Sequence, residues 1–275
     1  MTRMLGYLAN QSDRVRCAVS QEVDALRFGA GADAWGIGSF QSGEVLLRRR
    51  PVLGGGGAHL PEMVRDLRTG ALVACARRFG PAARLQENIP PFRFRQWVCA
   101  VDGETDALAS SCDALHAAVP EFLARNIRGT GADERLAHLL FASLHAEGRL
   151  DDPDLDRGTL AGCVRAAVSR ADAITRSPVA LSLLATNGRV MVALARGVPL
   201  CWVRRQGVRD AAACAAAEAV DGRGGRRIDP ESLRHLRYVM VASGEEVKGF
   251  QPLAPSEAGS VVAVDRNLDV LVESA

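Results

Sequence analysis

The sequence predicts a layered α+β domain, and three observations predict it. Strand-like segments come first, helical segments fill the middle and strand-like segments return, an order that suits separate layers better than alternating β and α units around a parallel sheet. The strand segments are short apolar runs, such as Ala71–Ala76 and Trp97–Val101, closed by charged or turn-forming residues. Asn187-Gly188 stands between the apolar runs Val179–Thr186 and Arg189–Arg196, the strongest hairpin signal in the chain and hence an antiparallel one. With 275 residues, no internal repeat and no linker, the chain reads as one domain, 1–275.

The composition, 48% hydrophobic and 24% charged, is that of an ordinary globular protein. A net charge of +2, with Arg48-Arg49-Arg50 the longest basic cluster, excludes the concentrated basic face of a nucleic-acid binder. No apolar run approaches the ~20 residues that span a bilayer, and no secretion signal precedes the first strand. Seven cysteines are scattered without a C-x-x-C pair, which predicts reduced, mostly buried thiols in a cytoplasmic protein. His59, His116, His138, His145 and His235 make no metal-ligand spacing with any cysteine, so no metal or other cofactor is expected.

In chain order, Met4–Asn10 and Arg16–Val19 read as strands around a turn at Gln11–Asp13, and Ser20–Phe28 as a short helical segment. In Gly31–Phe40 the glycines alternate with apolar residues, as in a strand whose backbone is closely approached by another element. Gly54–Gly57 reads as a surface loop, because Ala58-His59-Leu60 follows it where a phosphate-binding loop needs Lys and Ser or Thr. Pro61–Leu67 reads as a short helix with Pro in its first turn. Ala71–Ala76 and Trp97–Val101 read as buried strands, with a proline-stiffened loop, Gln86–Phe92, between them.

Ser110–Arg125, Asp133–Glu147 and Leu160–Ala173 carry helical periodicity, the second most clearly, through Leu136, Leu139, Leu140 and Leu144. Asp151–Asp156 is a turn opening the third helix. Leu200–Arg204, Tyr238–Ala242, Ser260–Val264 and Leu268–Val272 read as strands, Asp210–Val220 as loosely helical and Gly222–Arg227 as a basic glycine loop.

Taken in order, several of these landmarks resemble those of the class II glutamine amidotransferases of stand-alone bacterial glutaminase-like type. Thr2–Tyr7, T-R-M-L-G-Y, stands where those proteins open with cysteine and R-x-L-G-Y. Asp33–Ile37 is similar to their D-G-W-G-I/V segment, and Arg77 followed by Glu87–Phe92, E-N-I-P-P-F, to a strand-ending arginine and E-N-T-H-P-F. Ala100–Gly103, A-V-D-G, is similar to A-H-N-G, and Gly129–Glu134, G-T-G-A-D-E, to G-x-T-D-S-E. Asn187-Gly188 and Val241–Ser243 match in the same order, so the resemblance covers nearly the whole chain. It implies the N-terminal nucleophile hydrolase fold, a four-layer αββα sandwich of two antiparallel sheets.

The resemblance also implies roles. In the family the residue exposed by removal of Met1 attacks the side-chain amide of glutamine with its own α-amine as base; that position is Thr2. The Asn-Gly pair that donates to the oxyanion corresponds to Asp102 and Gly103. The arginine that holds the substrate α-carboxylate is Arg77, and Asn88 is kept beside it on the ligand side. The aspartate that holds the α-ammonium aligns with Ala132, with Asp133 one residue later.

Against that chemistry, threonine is a poorer nucleophile than a thiolate. A carboxylate at position 102 accepts hydrogen bonds and repels a developing anion. Arg77 is open to two readings, an anchor for a small carboxylate ligand or a partner of Asp102. The combined substitutions at 2, 102 and 132 predict a catalytically degenerate amidotransferase-like protein, a binding or regulatory subunit whose partners are a second protein or another copy of itself. The alternative is an active N-terminal threonine amidohydrolase on a glutamine or γ-glutamyl-type substrate.

Overall fold

The computed structural model describes residues 2–26, 31–52, 59–78, 85–103, 105–212, 214, 229–244 and 247–274. The first third of the chain forms β1 (Thr2–Ala9), α1 (Val15–Leu26), β2 (Ala34–Gln41), β3 (Glu44–Pro51), α2 (Leu60–Val64), β4 (Ala71–Arg77), β5 (Phe92–Phe94) and β6 (Trp97–Gly103). A helical middle follows: a 3-10 turn at Thr105–Ser111, then α3 (Cys112–Ala117), α4 (Glu121–Ala124), α5 (Ala132–Ala146) and α6 (Arg157–Thr175). The last third carries β7 (Leu181–Thr186), β8 (Met191–Arg196), β9 (Leu200–Gln206), α7 (Pro230–Arg234), β10 (Arg237–Ser243), β11 (Gln251–Leu253), β12 (Ser260–Val264) and β13 (Val270–Glu273).

Among the described residues the strands make two antiparallel sheets. One runs β11-β9-β10-β1-β4-β2-β3, the other β13-β12-β8-β7-β6-β5. Their facing sides bury Met4, Leu8, Val73, Cys75, Val98, Ala100, Leu184 and Met191 in a common core. The outer face of the second sheet packs Trp97, Val101 and Leu183 against α3, α5 and α6. The outer face of the first packs Leu5, Tyr7 and Leu72 against α1 and α2. The result is the four-layer αββα arrangement expected from the sequence. Central strands are covered on both faces, which is why β4 and β8 are apolar up to their terminal arginines, Arg77 and Arg196, rather than alternating.

Three differences from the sequence expectations have physical causes. Arg16–Val19, expected as a strand, belongs to α1: its inward positions Val15, Ala18, Val19 and Glu22 fall at helical spacing. The fourth of these is a carboxylate, so the period is hidden to a reader who counts only apolar residues. Glu22 is buried because Arg205 (3.0 Å) and Arg209 (3.3 Å) pair with it and the Tyr238 hydroxyl donates to it. The single helix expected over Ser110–Arg125 is divided into α3 and α4 by Pro120, which caps the second piece.

The expectation of reduced thiols is corrected at Cys17 and Cys214, which are joined in a disulfide across a sequence separation of 197 residues. Only the tertiary fold brings them together, their Cα atoms 5.9 Å apart. The expected loops at Gly54–Gly57 and Gly222–Arg227, and most of Asp210–Val220, lie outside the described residues.

The glycine alternation in β2 has the cause the sequence suggested. A Cβ on Gly36 would lie 2.1 Å from the Pro90 carbonyl oxygen, so the loop before β5 rests directly on the β2 backbone. Replacing Gly36 by Ala forces two backbones apart. Stability is expected to fall by about 1–3 kcal/mol or more, read from the midpoint of a urea transition with an unchanged slope.

His138 in α5 is fully buried. Its Nδ1 donates to the Glu134 carbonyl at 2.8 Å, and its Nε2 has no hydrogen-bond partner among the described residues. Burial, assisted by His116 and Arg135, holds its pKa down at about 4 against an ordinary 6.5. Between those values the unfolded chain takes up a proton that the folded chain refuses. The stabilisation from a neutral His138 is therefore complete above pH 6.5 and fades as pH falls towards 4, an effect on the order of 3 kcal/mol. A His138→Leu variant is expected to lose stability less steeply than the wild type across that window, measured by denaturant titration at stepped pH.

Candidate active site

The residues singled out by sequence meet at one end of the sandwich. β1 begins there, and β4, β6 and β10 end there. In the backbone register Thr2 stands opposite Arg77 on one side of β4 and Ala34 opposite it on the other. The strand alternation that sends Val73 and Cys75 between the sheets sends Arg77 the same way. β1 is tied to β10 at this end: the Met4 amide donates to Ser243 Oγ at 2.9 Å, and Arg3 donates to the Ser243 carbonyl at 3.1 Å. The state of Met1 lies outside the described residues.

Arg77 is 9% exposed and forms an ion pair with Asp133, which is 4% exposed. Its guanidinium also reaches the Thr105 hydroxyl at 3.5 Å. Asp133 is the second residue of α5, in the first turn, where unpaired backbone N–H groups favour a carboxylate. Ala132, which the resemblance aligned with the ammonium-binding aspartate, turns into the core beneath the second sheet. One helical step of ~100° separates the two side chains, and it is Asp133 that reaches Arg77.

The loop leading into α5 is held from two sides. Glu134 Oε2 accepts from the backbone N–H groups of Arg128 (3.1 Å) and Gly129 (2.5 Å). Burial pushes the Glu134 pKa up, and those two N–H groups and Arg49 oppose the shift. Asn88 Oδ1 accepts from the Thr130 amide at 2.8 Å, and its Nδ2 donates to the Thr130 hydroxyl at 3.2 Å. Asn88 thus braces the segment that carries Asp133. Arg49 crosses from β3 to donate to the Pro91 carbonyl at 2.6 and 3.1 Å.

Asp102 is the penultimate residue of β6 and 7% exposed. Val101 faces the helices and Ala100 faces the other sheet, so the alternation turns Asp102 inward between the sheets. It shares electrostatic surroundings with Arg77 at Cys75. The buried thiol of Cys75 is pushed well up by burial and by Asp102, while Arg77 and Arg49 pull it down. A thiol so protonated is no nucleophile. Gly103 follows at φ +145°, and a Cβ there would sit 2.3 Å from the Ala180 carbonyl oxygen, so only glycine closes this strand.

Sequence reading did not single out Ser182. It is the cross-strand partner of Asp102, fully buried, and its Oγ has no hydrogen-bond partner among the described residues. The available signal was one hydroxyl in the otherwise apolar run Leu181–Ala185. Among the described residues, no three His, Cys, Asp or Glu side chains are grouped to hold a metal ion. No described helix is long and apolar enough to cross a membrane. A separate cleft lined by Phe40, Trp97, Asp152, Asn187 and Arg189 opens at the opposite ends of these strands.

No family model and no curated protein sequence matches the chain. Solved structures do. A glutamine aminotransferase class-II domain protein from Silicibacter pomeroyi aligns over 98% of both chains, with 14% identity and a TM-score of 0.60. Glutamine phosphoribosylpyrophosphate amidotransferase from B. subtilis aligns over 98% of this chain, with 14% identity and a TM-score of 0.56. This chain spans 48% of that longer protein. A predicted glutamine amidotransferase from Pseudomonas aeruginosa aligns over 99% of this chain and 96% of its own, with 13% identity and a TM-score of 0.53. At these identities the likeness establishes architecture: the chain has the fold of class II glutamine amidotransferase domains.

Proposed function

We propose that this chain is a pseudo-amidotransferase: it binds a small α-amino-acid-type ligand at Arg77 and Asp133, does not hydrolyse glutamine, and serves as a binding or regulatory subunit for a protein partner. The observation that carries the reading is Asp102, a buried carboxylate turned between the sheets beside Gly103. Amide hydrolysis by a nucleophile builds negative charge on the former carbonyl oxygen, and a donor must meet it. Losing one such donor costs about 3–4 kcal/mol of transition-state stabilisation, and a like charge in its place costs more. Binding makes no such demand. Arg77 offers a planar fork for a carboxylate, and Asp133 is an acceptor for an ammonium group, so their pair is a template for both ends of an amino-acid head.

The competing reading, an N-terminal threonine amidohydrolase, draws on the position of Thr2 opposite Arg77 in the β1–β4 register. It needs a free Thr2 amine, and the intact mass of the purified protein decides that point: retained Met1 removes the base. The expected outcome is retained Met1 and no ammonia release from L-glutamine or a γ-glutamyl amide above a buffer blank. Turnover on the order of 1 s⁻¹ or faster, lost in a Thr2→Ala variant, would replace the first reading with the second.

A further inference from the structure

We propose that Cys17 and Cys214 form a reversible thiol–disulfide switch, a redox modification site that clamps the chain after β9 onto α1 when oxidised and releases it when reduced. The proposal is independent of the site at Arg77 and goes beyond it. It stands on the use of cysteine across the chain, on the access to each sulfur and on the other ties of the clamped segment.

Only two of the seven cysteines are bonded; Cys75, Cys99, Cys112, Cys163 and Cys201 are free. Chains built for oxidising conditions spend their cysteines in pairs, whereas reducing conditions keep thiols free and make a disulfide a transient, redox-sensing bond. Five free thiols beside one bridge are the second pattern.

The two sulfurs are unequally placed. Cys17 is 2% exposed and sits in the first turn of α1. Cys214 is half-buried, in a turn closed by its own amide, which donates to the Asp210 carbonyl at 3.1 Å. An incoming thiolate therefore meets Cys214, and the Cys17 sulfur leaves. The unpaired N–H groups of a helix's first turn favour a sulfur anion, which suits Cys17 to that part. A second small thiolate then frees Cys214 from the mixed disulfide. Closing runs the other way with a low-molecular-weight disulfide as oxidant. Its S–S bond breaks and the Cys17–Cys214 bond forms. The protein sulfurs are oxidised, those of the small molecule are reduced, and the two cysteine protons pass to the two small thiols released.

The clamped segment has few strong ties besides the bond. Val208, Ala211 and Cys214 pack on Cys17 of α1 and Leu233 of α7. The Arg209 amide donates to Gln21 Oε1 at 3.0 Å, and its guanidinium pairs with Glu22 at 3.3 Å. That side chain is 69% exposed, a setting in which an ion pair contributes little. Glu22 keeps Arg205 at 3.0 Å whether or not Arg209 stays. Opening the bond thus leaves α1 seated on its sheet and frees the turn that carries Val208, Arg209, Ala211 and Cys214. What it uncovers is the apolar cluster around Cys17 and Leu233.

The test is hydrogen-exchange mass spectrometry on the full-length protein equilibrated with excess oxidised or excess reduced glutathione. In the same samples the state of Cys17 and Cys214 is read by alkylation in denaturant and peptide mapping. Expected is a Cys17–Cys214 disulfide in the first buffer and two alkylated thiols in the second. Amides in peptides covering 205–214 are expected to exchange about tenfold or more faster in the reduced sample, with α5 and β6 unchanged. A Cys214→Ser variant is expected to exchange at the reduced rate in both buffers. A bond that survives excess reduced glutathione in the folded protein would make it a permanent staple and overturn the proposal. So would thiols that stay reduced in oxidised glutathione, or a bond that opens and closes with equal exchange in both states. The two wild-type samples decide the matter should the variant not fold.

Discussion

A buried ion pair fastens the two halves of the sandwich at the end where the site lies. Arg77 closes a central strand of the first sheet, and Asp133 opens the helix that lies on the second, so one contact crosses the inter-sheet layer. The side chains are 11% and 6% exposed, a setting in which desolvation opposes much of the Coulombic attraction. Such a pair is a poor source of stability and a good source of geometry. Removing one partner strands a charge at a cost of about 3–5 kcal/mol, so the two residues hold one another in place. The loop before α5 has to deliver Asp133 accurately, and Asn88 and Glu134 spend their hydrogen bonds on that loop.

The close-packed layers explain why chemistry collects at strand ends. Along the strands there is no room: the Pro90 carbonyl rests on Gly36, and the facing sides of the two sheets bury an almost wholly apolar core. Polar side chains enter this space where the sheets finish, and Arg77, Asp102, Thr105, Asp133, Ser182 and Ser243 are all buried there. Buried polar groups there are costly unless they are paired, because water is largely excluded.

Much of the fold was legible because the central strands are largely apolar runs with polar residues gathered at their ends, and the chain turns where Asn-Gly says it turns. β4, β6 and the β7–β8 hairpin fall on the segments read from sequence. What was illegible has a common origin in polar groups made apolar by their partners. Glu22 hid the period of α1, because a carboxylate neutralised by Arg205 and Arg209 occupies a core position. The Cys17–Cys214 bond is invisible without the tertiary contact that creates it. Asp133 was read as one residue out of register with its motif. Alignment counts residues, whereas a helix start is decided by which side chain faces the core, and here Ala132 takes that role. Ser182 carried no motif at all; its interest comes only from the strand opposite.

Asp102 sets the chemical character of the strand end it occupies, beside Arg77 and Asp133. One guanidinium has five N–H donors, enough to touch more than one carboxylate, yet it carries one positive charge. Asp133 pairs with that guanidinium, and Asp102 lies in the same largely buried end of the inter-sheet layer, where electrostatic interactions are several times stronger than in water. A carboxylate buried there imposes acceptor chemistry on the strand end, where a developing oxyanion would need a donor.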